Sequence, residues 1–121
     1  MKAAGKGAVS GEKLELYEKV LRTIPAIERK GDANPYTSLN GNMFTLLHSS
    51  GVLAFRLPEE EREKFLKKYK TSLFEAYGTV MKEYAVVPDA LLKKTSELAK
   101  WLEVSYSYAQ TLKPKATKKK R

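Results

Sequence analysis

The 121-residue chain has no cysteine, one histidine, one tryptophan and no apolar run near the ~18 residues that a membrane-spanning helix requires. Without a thiol there is no disulfide framework, no thiolate zinc site and no nucleophilic cysteine. A reducing compartment suits such a chain, and a cytoplasmic setting is expected. A lone imidazole cannot build a histidine-rich metal centre, so neither a metal nor another cofactor is expected. Residues 1–7 carry charge but no apolar segment follows them, so neither an export signal nor a membrane association is expected.

The cationic excess is large and unevenly placed. The formal net charge is +9, yet Lys113, Lys115, Lys118, Lys119, Lys120 and Arg121 alone contribute +6, and Lys2 and Lys6 a further +2. Residues 12–112 are therefore almost neutral. Nucleic-acid-binding domains spread cations over a folded face. Here they sit in two segments of Gly, Ala, Pro, Thr and Lys that lack the apolar content for a core. The expected division is a tail over residues 1–11, one domain over 12–112 and a disordered basic tail over 113–121. A body of this size can bury one core without metal or disulfide support.

The strongest local signal is a β-meander between Tyr36 and Leu57. Asn40-Gly41 accepts positive φ at both central positions of a two-residue hairpin turn, and Ser49-Ser50-Gly51 separates the second strand from the third. Strict alternation predicts Phe44, Leu46, Leu53, Phe55 and Leu57 on the core face. Met43, Thr45, Leu47, Val52, Ala54 and Arg56 then fall on the other, which is too apolar for open water and calls for a covering element or a second subunit.

Helical spacing of Leu14, Tyr17, Val20, Leu21 and Ile24 predicts a first helix over residues 12–24, ended by Pro25. Pro58 followed by Glu59, Glu60 and Glu61 marks a second helix, with proline at its first position and carboxylates on the positive end of its dipole. Residues 73–77 read as an edge strand, Gly78 as a break and 80–87 as a further strand ended by Pro88. A leucine-rich helix follows to Leu112, with a fresh start at Thr95-Ser96.

This order of elements resembles the TfoX N-terminal domain family. The resemblance rests on Asn40-Gly41-Asn42-Met43-Phe44 with Leu53-Ala54-Phe55-Arg56-Leu57, and on Met81-Lys82 leading through Val86-Val87-Pro88 to Leu91. It implies an α+β domain: an antiparallel β-meander sheet with an N-terminal helix, a middle helix and a long C-terminal helix, similar in outline to secretion chaperones. It also implies a bacterial setting, where the family's namesake is a positive regulator of competence genes. The chain departs from that namesake in not carrying the regulator's second domain, so a stand-alone domain is expected. Neither signature is catalytic.

The candidate sites follow from what remains. The basic tail, Lys113, Lys115, Lys118, Lys119, Lys120 and Arg121, either contacts phosphates nonspecifically or serves as a solubilising end, and it has no interleaved aromatics for base stacking. Lys118-Lys119-Lys120-Arg121 also fits a nuclear import patch, against which the bacterial resemblance argues. Arg56, Lys82 and Glu83 are charges within apolar strands. They either line a polar groove with Tyr36 and Tyr84 or resolve into solvent-reaching side chains and one cross-strand ion pair. Met43, Leu47, Val52, Trp101 and Val104 form a candidate partner surface, with packing on the first helix as the alternative for the last two. His48 reads as a turn-side residue, and its neighbours Ser49 and Ser50 have no identifiable acidic partner. The expected function is therefore a non-enzymatic binding or regulatory module acting as a homodimer or on a protein partner. A nucleic-acid-associated regulator is the alternative, and an enzyme built on the Arg56, Lys82 and Glu83 groove comes third.

Overall fold

The computed structural model describes residues 11–31, 34–76 and 78–114. Helix α1, Gly11–Leu21, buries Tyr17, Val20 and Leu21. It stops short of Ile24 because Pro25 has no N–H to offer the Leu21 carbonyl. That oxygen is taken instead by the Ile24 N–H at 3.1 Å, in a tighter turn. The Thr23 hydroxyl also donates to the Val20 carbonyl, at 2.7 Å.

Strands β1, Tyr36–Leu39, and β2, Asn42–Leu47, are joined through Asn40 and Gly41 at φ 54° and 82°. Positive φ at both positions is the primed turn that Asn-Gly favours, because its twist matches that of the strands it connects. Strand β3, Leu53–Arg56, completes the meander. Helix α2, Glu59–Tyr69, follows, with Pro58 one position earlier than the spacing predicts, at the N-cap, and with the left-handed Lys70 ending it. Strands β4, Leu73–Ala76, and β5, Thr79–Val87, form a hairpin, followed by the short helix α3, Asp89–Leu92, and the long α4, Thr95–Thr111. The fresh helical start near Thr95 is present, although Lys94 holds the N-cap position and no side chain caps it.

The strands form one antiparallel sheet in the order β1-β2-β3-β5-β4. Side chains from all four helices share a single core with the strands, including Tyr17, Phe65, Leu91 and Leu98 around Phe44, Phe55 and Leu57. The fold is α+β, and among the described residues the helices lie on one side of the sheet.

A bulge in β2 decides which side chains enter that core. Thr37 of β1 pairs with Thr45 and Ser38 with Met43, so Phe44 has no partner of its own on β1. One inserted residue reverses the inward and outward sense of everything beyond it. Phe44 is inward as expected, but Thr45 and Leu47 are also fully buried, while Leu46 joins the opposite face with Ala54. The strict alternation expected for residues 43–47 is thus corrected: Leu47 is a core residue, not part of a partner surface. Thr45 enters the core only because its hydroxyl lies 2.6 Å from those of Tyr17 and Thr37. Burial pushes the Tyr17 phenol far above its usual range despite these bonds, so it stays neutral.

The bulge also leaves backbone carbonyls to be satisfied. The buried Ser105 hydroxyl of α4 lies 2.9 Å from the Phe44 carbonyl and 2.7 Å from that of Arg56, and its one proton is shared between them. The Tyr84 hydroxyl donates to the Met43 carbonyl at 2.7 Å.

A second irregularity, in β5, curls the sheet. Leu73 pairs with Ala85, but the next residue, Phe74, pairs with Met81, so Lys82, Glu83 and Tyr84 have no counterpart on β4. In a flat sheet β4 would stand about 14 Å from β2, three strand spacings away. The Phe74 ring nevertheless meets that of His48, just past the end of β2, at 5.6 Å between centroids. Phe74 and Tyr84 pack with Ala54, so the middle of the helix-free face is closed by its own edge strand.

Replacing Ser105 with Ala strips the Phe44 and Arg56 carbonyls of their shared donor in a buried site. Urea unfolding should show a loss of about 1–3 kcal/mol. A change within error of zero would mean that the helix does not hold the bulge.

Candidate functional site

The charged residues that stand out in the strands converge where β3 ends. The Arg56 Nε donates to Glu83 Oε1 at 2.6 Å, and its Nη1 lies 3.4 Å from the Met43 carbonyl. The guanidinium carbon sits 5.7 Å from the Tyr84 ring centroid and 5.9 Å from that of Tyr108, so the cation is flanked by two aromatic faces. Tyr108, from α4, donates to the second oxygen of Glu83 at 2.9 Å. The unpaired stretch of β5 places Glu83 here: freed from β4, it meets Arg56 on one side and the last helix on the other.

The electrostatics are those of a closed pair. Burial pushes the Glu83 carboxyl up, but the hydrogen bonds from Arg56 and Tyr108 and the charges of Arg56 and Arg62 outweigh it and hold the carboxyl below its ordinary range. Burial pulls Arg56 down, and the bond to Glu83 reverses this. Burial, more than any other cause, raises both tyrosines, and for Tyr108 the bond to Glu83 adds to it. Both carboxylate oxygens are engaged, and the cation is neutralised by its partner. Such a cluster ties the sheet to α4; it presents neither a base poised for proton transfer nor an unopposed charge for a ligand.

Of the five residues expected in a polar groove, Arg56, Glu83 and Tyr84 come together. Tyr36 lies on β1 with its ring against Gly31, and Lys82 is exposed. Tyr108 and Ser105 complete the cluster and are absent from the sequence expectation. A signal for Ser105 exists, since it occupies the apolar stripe Leu98, Leu102, Ser105, Ala109, where a small hydroxyl needs a partner.

The candidate partner surface divides. Met43 and Val52 border the helix-free face of the sheet, together with Leu46, Ala76, Met81 and Val86. Trp101 packs between α2 and α4, edge-on to Phe65 at 5.0 Å, with its Nε1–H donating to the Tyr69 hydroxyl at 3.0 Å. Tyr69 in turn donates to Glu97. Val104 lines the groove between the same two helices. His48 accepts the Ser50 N–H on Nδ1 at 3.1 Å, a local turn contact that puts a neutral ring's proton on Nε2.

Among the described residues no group of three or more metal-ligating side chains is gathered, and no helix is long and apolar enough to cross a membrane. Of the basic tail, Lys113 is described: it is exposed, and its carbonyl accepts from Asn42 Nδ2 at 2.8 Å. Lys115, Lys118, Lys119, Lys120 and Arg121 lie outside the described residues, as do residues 1–10 and Tyr77.

A curled antiparallel sheet with helices on one side, with Arg56 and Glu83 paired to each other, defines a small α+β domain. The family model of the TfoX N-terminal domain matches residues 37–109, and the chain belongs to that family. No curated protein and no solved structure matches it. Membership points to a regulatory or binding module.

The lowered Glu83 carboxyl makes stability depend on pH. A carboxyl whose folded value lies below its unfolded one, about 4.3, stabilises the fold above that value and ceases to do so as pH falls through the folded one. Glu83→Gln should therefore lower the melting temperature at pH 7, with the gap to the parent protein narrowing toward pH 3. An equal gap at both pH values would show that the pair does not set the acid limb.

Proposed function

We propose that this protein is a non-enzymatic, TfoX-like binding or regulatory module that works in the cytoplasm through protein–protein contacts, either paired with a second copy or docked on a partner protein. The carrying observation is the helix-free sheet face, where Met43, Leu46, Val52, Ala76, Met81 and Val86 are only partly buried around a closed centre. Contiguous apolar surface of this kind marks interaction sites more often than scattered exposed residues do. The engagement of Arg56 and Glu83 with each other supports the non-enzymatic part of the reading.

Light scattering on the full chain and capture from the source cell test it, each repeated with Val52→Lys combined with Met81→Lys. The parent should dimerise or retain a specific partner, and the variant should lose that property with its circular dichroism intact. A monomeric parent that captures no more than the variant would sink the proposal.

The charge distribution favours a second reading, a nucleic-acid-associated regulator whose basic tail supplies phosphate contacts. The Asn42 bond to the Lys113 carbonyl gives that tail a fixed point of departure beside the β1–β2 turn. Deleting residues 115–121 should then abolish duplex DNA binding at low salt, measured by fluorescence anisotropy. Equal binding by the truncated chain would end this reading.

A further inference from the structure

The sheet ends in β1 on one side and β4 on the other, and the two edges are not alike. On β1, Tyr36 exchanges two backbone hydrogen bonds with Lys30, at 2.7 and 2.8 Å, and the Lys30 ammonium donates to the Ser38 hydroxyl at 3.1 Å. That edge is occupied by its own chain, one of the ways in which sheets avoid unwanted pairing. Among the described residues, none bonds the outer edge of β4.

One bond sets the direction of the backbone groups on β4. The Ser72 carbonyl accepts from the Val86 N–H at 2.9 Å, so Ser72 faces β5. Backbone groups alternate along an antiparallel strand, so Phe74 and Ala76 also face β5, whereas Leu73 and Glu75 hold their N–H and C=O groups outward. Side chains alternate as well. Phe74 and Ala76 belong to the helix-free face, with Phe74 packed onto its own sheet, and Leu73 and Glu75 lie on the other face, half-buried and exposed.

We infer, on the reading of the chain as a binding module, that β4 pairs antiparallel with β4 of a second copy about a two-fold axis at Phe74, which joins the two five-stranded sheets into one. The register follows from what each alternative puts across the axis. An axis at Glu75 sets the two carboxylates directly opposite each other. An axis at Leu73 brings Glu75 opposite Thr71, whose N–H is already bonded to the Leu66 carbonyl at 3.1 Å. With the axis at Phe74, Leu73 of each copy lies opposite Glu75 of the other, and every outward N–H and C=O of the strand finds a partner. This self-complementarity selects a second copy as the occupant. The charges nearby are mixed in sign, with Glu75 on the strand, Lys70 ahead of it and exposed Lys82 on β5. The two carboxylates stand on a diagonal, where solvent screens them. A four-residue edge gives a short ladder, so the dimer is weak and reversible. The helix-free faces then meet across the axis, with Ser72 of one copy opposite Ala76 of the other.

The chain has no cysteine, so introduced thiols are unambiguous. Full-length Leu73→Cys and Glu75→Cys proteins, mixed in equal amounts and oxidised under native conditions, should give the 73–75 heterodisulfide well above the half that random pairing yields. Residues directly opposite lie within the Cα span of about 4.4–6.8 Å that a disulfide bridges, and the two homodisulfide pairings lie beyond it. In analytical ultracentrifugation, Glu75→Pro removes an outward N–H at an edge position that tolerates proline, and should weaken dimerisation about tenfold or more with circular dichroism unchanged. Glu75→Ala should leave the dimer intact. A parent that stays monomeric up to millimolar concentration, or a random mixture of disulfides, would overturn the proposal. A dimer abolished by Val52→Lys with Met81→Lys but indifferent to Glu75→Pro would overturn it too, by moving the contact to the sheet face and leaving the binding-module reading standing. A monomeric parent that captures a specific partner would likewise reject the β4 pairing alone.

Discussion

The fold depends on a backbone defect held from both sides. Phe44 is the extra residue of β2, with no partner on β1, and beside it the Met43 and Phe44 carbonyls accept from side chains. A buried carbonyl without a donor destabilises a domain of this size by a sizeable share of its total stability. The chain answers with two hydroxyls: Ser105 reaches the Phe44 carbonyl from α4, and Tyr84 reaches the Met43 carbonyl from β5. Because Ser105 also binds the Arg56 carbonyl, one side chain fixes the last helix against two strands at once. The bulge therefore sets the register of β2, the seating of α4 and the position of Arg56 together.

The same irregularity explains how a small sheet keeps one face free of helices without exposing its centre. Beyond the bulge, Leu46 turns outward beside Ala54, and the unpaired stretch of β5 lets the β4–β5 hairpin lean inward until Phe74 meets His48. The middle of the face is thereby dry, and its rim keeps partly buried Met, Leu and Val side chains. A surface of this kind can remain stable alone and still gain by being covered, as a face used for reversible association requires.

Much of this architecture is legible in the residues. Asn40-Gly41 fixes the hairpin, Pro58 and Pro88 mark where helices begin, and the leucine spacing after Thr95 gives α4, because each of these signals acts within a few residues of itself. The bulge is not legible, since Met43 to Leu47 offers acceptable residues in either alternation. Only the distant hydroxyls of Tyr17, Thr37 and Ser105 make Thr45 and the Phe44 carbonyl tolerable inside. Leu47 is consequently misassigned by strict periodicity, and Leu46 with it. In the charged cluster, Arg56 and Glu83 are conspicuous as charges among apolar neighbours. Tyr108 is not, because a tyrosine on a helix gives no hint that its hydroxyl reaches across to a strand.

The Arg56–Glu83 pair is better understood as a device for geometry than as a source of stability. Glu83 is 37% exposed, so the attraction is screened, while both groups still lose part of their hydration. What an apolar pair could not supply is directionality. Arg56 donates toward the bulge carbonyl of Met43, stacks between tyrosines of β5 and α4, and orients Glu83 so that its other oxygen receives Tyr108. Each of these contacts is satisfied in one arrangement of β3, β5 and α4. The cluster thus rejects misregistered strands that a purely apolar seam would accept, and the irregular stretch of β5 is held in the shape on which the curled face depends.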